Sequence, residues 1–384
     1  MRRPGIYEQF SHDDADNLLG MDAPQEGQPH RATVKGDRLL IQGDHHFEYD
    51  EFGNLTAERW GKQQCRARLY EWDCEHRLVR LTQVRWQDGG ETQKESWRYR
   101  YDAFGRRWRK EDEQTGKATL FFWQDERMVT ECDEDDALFD PREVDNEYVK
   151  ATAFACTSYL YEPGSFRPLA QFKGRGRGGA VYWYINDHLG TPQELVDGKG
   201  NIAWSGMYRS YGQLVVQGGA VRQPLRLQGQ YADEESGLHY NRYRYYNPRS
   251  GRYISQDPIS IRGGINTYAY VKNPLNSIDP LGLACIQVDS RIKESDKLVK
   301  EAEISGRSHQ ASIDRLTEQL AQGNTNPGIG SKPIGHGISE ARARDGARVY
   351  FRQTPNGIEI LGKSTKANQQ KVINEVILVF GRGN

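Results

Sequence analysis

The chain has 384 residues, a formal net charge of −1, 36% apolar residues, 21 tyrosines and 40 glycines. So little apolar material argues against a thick globular core and for many short strands with polar outer faces. The net charge names no partner, but its distribution is informative. Residues 284–384 carry 15 Lys and Arg against 11 Asp and Glu, net +4, while the preceding residues carry 37 against 42, net −5. A mildly basic tail on an acidic body is compatible with a tail that meets nucleic acid. The 5 cysteines, at positions 65, 74, 132, 156 and 285, have no CxxC or Cys/His metal spacing, so free thiols and a reducing compartment are expected. The N-terminal stretch MRRPGIYEQFSHDDADN has no apolar core, which excludes a conventional signal peptide there. No run approaches the ~18 apolar residues of a membrane-spanning helix.

Repeats come first along the chain. HFEYDEFGNLTAERW (46–60), LYEWDCEHRLVRLTQ (69–83) and RYRYDAFGRRWRKED (98–112) align, with a weaker copy in LFFWQDERMVTE (120–131). Each unit predicts strand, Asp/Gly turn, strand. One hairpin cannot bury its own face, so consecutive hairpins must stack into a continuous spiralling sheet. The Tyr and Trp residues are accordingly strand residues and not a ligand-stacking platform. Residues 132–150 are acidic and read as a surface loop, and GRGRGG (174–179) as an exposed turn. VYWYINDHLGTPQELVDGKGNIAWSGMYRSYGQL (181–214) is again strand-rich, with His188 a turn or core histidine.

Residues 225–283 follow, and the composition changes abruptly after them. Asn247-Pro248-Arg249-Ser250-Gly251 is a turn between aromatic strands in which Tyr243, Tyr245 and Tyr253 alternate with polar residues. Asp257-Pro258 and Asp279-Pro280 are two Asp-Pro steps 22 positions apart. Their plain reading is two turn-forming aspartates. Two carboxylates brought together can also share one proton and activate water for peptide hydrolysis.

Beyond Leu283 the apolar spacing of residues 288–323 is mostly helical, with Gly306 as a break and Gly323 as a cap. NTNPGIGSKPIGHG (324–337) reads as a loop. ARVYFRQT and IEILGKS flank Pro355-Asn356-Gly357 as a hairpin, and TKANQQKVINEVILVFG as a helix. Helices followed by a small antiparallel sheet make an α+β domain. Arg348, Tyr350 and Arg352 recur at period two and are expected on one sheet face. His336, Arg344, Lys363 and Lys366 are expected at its rim, with Lys371 further on. A basic, aromatic face suits RNA, whose phosphates meet cations and whose splayed bases stack on rings. Metal-free RNA cleavage needs a base, a phosphorane-binding cation and an acid, roles that His, Arg and Lys fill. The plainer reading of each cation is a solvated face.

GLHYNRYRYYNPRSGRYISQDPI and NTYAYVKNPLNSIDPLGL resemble the C-terminal core boundary of RHS (rearrangement hotspot) proteins, and the repeats resemble the YD repeat. The resemblance implies a mainly β YD-repeat shell (residues 1–224), a core boundary with an autoproteolysis motif (225–283) and a variable α+β toxin domain (284–384). It implies an intramolecular aspartyl protease of Asp257 and Asp279, cutting between Leu283 and Ala284. GARVYFRQTPNGIEILGKSTKANQQKVI resembles the sheet and last helix of barnase–EndoU–colicin–RelE-type RNases and of contact-dependent and RHS tail toxins. That implies a ribonuclease without metal or cofactor: His336, Arg344, Arg352, Lys363 and Lys366 are its catalytic candidates, and Arg348, Tyr350 and Lys371 its RNA-binding candidates. The implied partners are an RNA substrate, tRNA foremost, a cognate immunity protein, and the type VI or related secretion machinery, reached through an N-terminal region missing here. The implied location is the producer's cytoplasm and then that of a target cell. The alternative is a truncated shell fragment with a purely structural or binding role.

Overall fold

The computed structural model describes residues 2–3, 6–21, 32–87, 90–134, 156–163, 165–174, 179–271, 273–275, 277–283, 288–321, 326–354 and 357–381. It divides into two units, Met1–Ile261 with Ile265–Ala284, and Arg262–Gly264 with Cys285–Asn384.

The first unit is dominated by one antiparallel sheet of 16 strands in strict sequence order, from Ala32–Lys35 to Leu214–Gly219. Its repeat has a local cause. Asp50, Asp73 and Asp102 each accept, through Oδ1, the backbone N–H four residues on, at 2.8, 3.0 and 2.9 Å. The third residue after each Asp is left-handed: Gly53, His76 and Gly105 at φ 84°, 60° and 70°. Glycine tolerates that region freely and histidine only at a cost, which explains the Gly preference and its one exception. Just before each Asp stands a Tyr or Trp where the ladder register shifts. The bulge leaves a carbonyl short of a ladder partner, and the aromatic of the next hairpin supplies a donor. Trp72 Nε1 donates to the Leu55 carbonyl (2.7 Å), Tyr101 Oη to Leu78 (2.7 Å), Trp123 Nε1 to Arg107 (2.8 Å) and Tyr161 Oη to Met128 (2.8 Å). Each repeat is thereby stitched to the one before it.

Residues 225–283 pack against this sheet through a four-stranded antiparallel meander: β1 (Tyr231–Asp233), β2 (Leu238–Asn241), β3 (Arg244–Asn247) and β4 (Arg252–Tyr253). Leu238, Tyr240 and Tyr245 share a core with Leu39, Leu55, Leu78 and Tyr99 of the sheet, and Leu225 and Tyr231 share another with Phe121, Tyr159 and Leu195. Arg107 ties the two layers together. Its guanidinium forms a fully buried bidentate pair with Asp233, and five rings surround it, Tyr240 closest at 4.5 Å. The fold is the β-shell expected of the YD repeats, with a small α+β unit after it.

In the second unit β5 (Val288–Ser290) leads through a short turn to helix α1 (Asp296–Ala321). Strands β6 (Ser331–Gly335), β7 (Ile338–Arg342), β8 (Arg348–Thr354) and β9 (Gly357–Ser364) and helix α2 (Gln369–Phe380) follow. The sheet order is β5-β9-β8-β7-β6, and β5 pairs parallel to β9. Three expectations need correction here. The opening residues of the helical stretch form a strand, and the expected loop 324–337 contains β6. The helix does not break at Gly306. It kinks at His309, whose φ of −134° and ψ of 19° leave the helical region. Most of the Pro355-Asn356-Gly357 turn, the bulk of the 132–150 and GRGRGG loops, and Gly323 lie outside the described residues.

The expectation of free thiols throughout is also corrected. Cys132 and Cys156 are disulfide-bonded, with Cα atoms 4.1 Å apart, because their strands are neighbours although 24 residues separate them. Cys65 and Cys74 are free. No helix among the described residues is long and apolar enough to cross a membrane.

Candidate cleavage site and nuclease surface

Asp257 and Asp279 meet inside the first unit, 6% and 2% exposed. Arg244, from the start of β3, lies between them: its Nη2 is 3.0 Å from Asp257 Oδ2 and 3.5 Å from Asp279 Oδ2. One guanidinium thus holds together two carboxylates that would otherwise repel. The same arginine donates through Nη1 to the Thr267 carbonyl (2.9 Å) and through Nε to the Gly282 carbonyl, and it stacks 3.6 Å from the centre of the Tyr253 ring.

Asp279 is surrounded by donors. Tyr253 Oη gives a hydrogen bond to Oδ2 (2.8 Å), and the backbone N–H groups of Gly282 and Leu283 donate to Oδ1 at 2.9 and 3.1 Å. Asp257 differs: burial pushes its carboxyl above the ordinary range, only partly offset by Arg244. Burial thus favours the protonated form of Asp257.

The backbone running up to the expected junction is pinned at three points. The Asp279 carbonyl accepts from Asn241 Nδ2 (2.9 Å), the Leu281 carbonyl from the Tyr243 N–H (3.1 Å), and the Gly282 carbonyl from Arg244. Gly229, at φ 82°, lets a neighbouring turn press on Pro280; a β-carbon there would sit 1.9 Å from the Pro280 carbonyl oxygen. Leu283 lies beside Asp279, and Ala284 lies outside the described residues. Reading the two Asp-Pro steps alone misses Arg244, Tyr253 and Asn241. Their only signal is the Asn/Arg/Tyr-rich run 240–253, which reads equally well as strand.

In the second unit the expected nuclease set does not assemble. Arg348, Tyr350 and Arg352 do share one face, but that face is covered. Tyr350 is 0% exposed, and its hydroxyl is bonded to Glu340 Oε1 (3.1 Å) and Ser364 Oγ (2.8 Å). Its ring lies with Val372 and Val376 of α2 around Gly362. Tyr350 is a core residue and cannot stack on a base. Alternation along β8 puts the three residues on one face, and α2 covers that face. Arg348 pairs with Glu340 (3.2 Å), Arg352 holds Glu359 through Nε and Nη2 (3.0 and 2.6 Å), and Lys371 pairs with Glu301. These three cations serve the fold.

The remaining candidates separate along the sheet. His336 sits in the β6–β7 turn at φ 55°, close to Gly381, at the end of β8 that carries Arg352. Arg344 and Lys366 belong to the opposite end: Gly346 lies against Lys366, and Lys363 opposes Val349 in the ladder. Four residues of β8 at ~3.3 Å each separate the two ends by about 13 Å. His336 and Lys366 therefore do not form one site. Arg344 and Lys366 are exposed, Lys363 is half-buried, and none of the three is ion-paired among the described residues.

The fold and the paired carboxylates define a class, a YD-repeat β-shell protein with a buried dyad beside the end of its shell and a separate unit after it. Residues 181–218 match the family described as RHS protein. The chain is 34% identical over 305 residues to double-stranded DNA deaminase toxin A of Burkholderia cenocepacia, covering 72% of this chain and 19% of that one. It is 35% identical over 284 residues to toxin protein Tse5 of Pseudomonas aeruginosa (66% and 20%) and 31% identical over 264 residues to the probable deoxyribonuclease RhsB of Dickeya dadantii (68% and 17%). The chain spans about a fifth of the length of these relatives. It belongs to the RHS family.

Proposed function

We propose that the chain is the C-terminal part of an RHS toxin, in which the shell cuts itself after Leu283 and releases residues 284–384 as a ribonuclease. The observation that carries the first step is the meeting of Asp257, Asp279 and the Leu283 N–H around Arg244. Asp279 takes a proton from water as the water attacks the Leu283 carbonyl carbon. Protonated Asp257 donates to the departing Ala284 nitrogen. A buried carboxylate pair that shares one proton is suited to this exchange without metal.

The tail's reading rests on its basic balance and on exposed Arg344 and Lys366, available to RNA phosphates. Transfer RNA is the proposed substrate. An immunity protein protecting the producer, and delivery to a neighbouring cell through secretion machinery engaging a region N-terminal to this chain, complete the proposal. The relatives' names, a DNA deaminase and a probable deoxyribonuclease among them, support a toxin that acts on nucleic acid.

Expression of the chain in bacteria, followed by RNA electrophoresis, tests the reading. Growth arrest with fragmented RNA is expected, and rescue by a small protein encoded next to it would identify the immunity partner. Healthy cells with intact RNA would leave a structural or binding role for the shell.

A further inference from the structure

We propose that the tail's RNA-cleaving base is His309, at the kink of α1, and that the phosphate site lies between this kink and the Ala343–Ala347 turn. The inference rests on the ribonuclease reading above and specifies where that chemistry occurs.

Three observations meet there. First, the helix departs from helical geometry at His309 itself, at φ −134° and ψ 19°. Second, the ring is held at both nitrogens. Nε2 lies 3.1 Å from the Asp345 carbonyl oxygen, and Nδ1 lies 2.6 Å from Ser308 Oγ. A carbonyl only accepts, so Nε2 carries the proton of the neutral ring and Nδ1 presents its lone pair. The Ser308 hydroxyl now at Nδ1 occupies the place a ribose 2′-hydroxyl would take. Third, two hydrogen bonds brace the supporting turn, and neither Arg344 on it nor Lys366 beside it is ion-paired among the described residues. Ser312 Oγ donates to Asp345 Oδ2 (2.6 Å), and the Ala347 N–H donates to Oδ1 (3.1 Å). Arg344 is exposed on that turn, and Gly346 lies 3.7 Å, measured from a β-carbon placed on it, from the Lys366 side chain. At the other end of the sheet, beside His336, Arg352 is committed to Glu359.

In the step this arrangement supports, the 2′-oxygen of RNA bonds to phosphorus and the phosphorus–5′-oxygen bond breaks. The 2′-hydroxyl proton passes to His309 Nδ1. The leaving 5′-oxygen takes a proton from water, and the histidinium later returns its proton to solvent. The products are a 2′,3′-cyclic phosphate and a 5′-hydroxyl. Lys366 and Arg344 bind the phosphate; Ser312 and Asp345 are positioning residues.

The test uses the full chain and total bacterial tRNA. His309→Gln keeps a donor for the Asp345 carbonyl but removes the titrating ring. It should lower the cleavage rate 100-fold or more, within the range for a lost general base, with an unchanged melting temperature. Lys366→Ala should raise KM more than it lowers kcat, and His336→Ala should cleave like wild type. If wild type cleaves and His309→Gln cleaves equally well, or if the products end in 3′-hydroxyl and 5′-phosphate, the assignment of His309 is overturned while the ribonuclease reading stands. If wild type leaves tRNA intact, the ribonuclease reading fails and the assignment falls with it.

Discussion

Arg244 is the residue on which the cleavage account turns, because it sits within hydrogen-bonding reach of both carboxylates and of the backbone beside the junction. Asp257→Asn keeps the shape of the dyad but removes its acid. Self-cleavage should fall by 100-fold or more, as for the loss of a general acid, measured as loss of full-length chain on a gel. The pH dependence follows from the direction of the Asp257 shift. Its folded pKa is raised above the ordinary 3.8, so the protonated form is the one the fold favours. The associated stability is present at low pH and lost as pH rises through the folded value. Cleavage that needs protonated Asp257 should therefore be faster under mildly acidic than under alkaline conditions, which a pH series of the same gel assay measures; a rate rising steadily with pH would contradict the role given to Asp257. In the tail, Tyr350→Phe removes a buried hydroxyl from Glu340 and Ser364. It should cost about 1–3 kcal/mol of stability by thermal melting and leave RNA cleavage intact, since the ring meets no substrate.

At the scale of elements, the repeat was legible because its causes are local. An Asp that captures the N–H four residues on, a left-handed Gly and a preceding aromatic are all visible as letters at fixed spacing. The stitch from Trp72 to Leu55, or from Tyr101 to Leu78, was not legible, since it joins neighbouring hairpins through a bulge. Tyr101→Phe should cost about 0.5–1.5 kcal/mol by denaturant unfolding. The larger liability is Arg107, which spans the sheet and the meander and is 1% exposed. Arg107→Met removes the bidentate partner of the buried Asp233 carboxylate, leaves it Lys110 Nζ at 3.2 Å, and should cost about 1–3 kcal/mol. Because the meander carries Arg244 and leads into Asp257, that variant should also slow self-cleavage. The tail's secondary structure was legible in outline. Alternation put Arg348, Tyr350 and Arg352 on one face, but nothing in a period of two says that α2 covers it. Nor does helical spacing announce that a 26-residue helix will kink at a histidine instead of a glycine.

For the whole molecule, the two Asp-Pro steps named the carboxylates, and their meeting depends on the meander, the Gly229 turn and the 279–283 segment all being in place. The cleavage account ties these long-range contacts to one covalent outcome. Intact-mass spectrometry of the purified full chain, followed over time, tests it most directly. The account predicts that wild type resolves into two species whose masses match residues 1–283 and 284–384, while Asp279→Asn remains a single chain. A wild-type chain that stays whole from mildly acidic to neutral pH, or one that breaks at another bond, would contradict it.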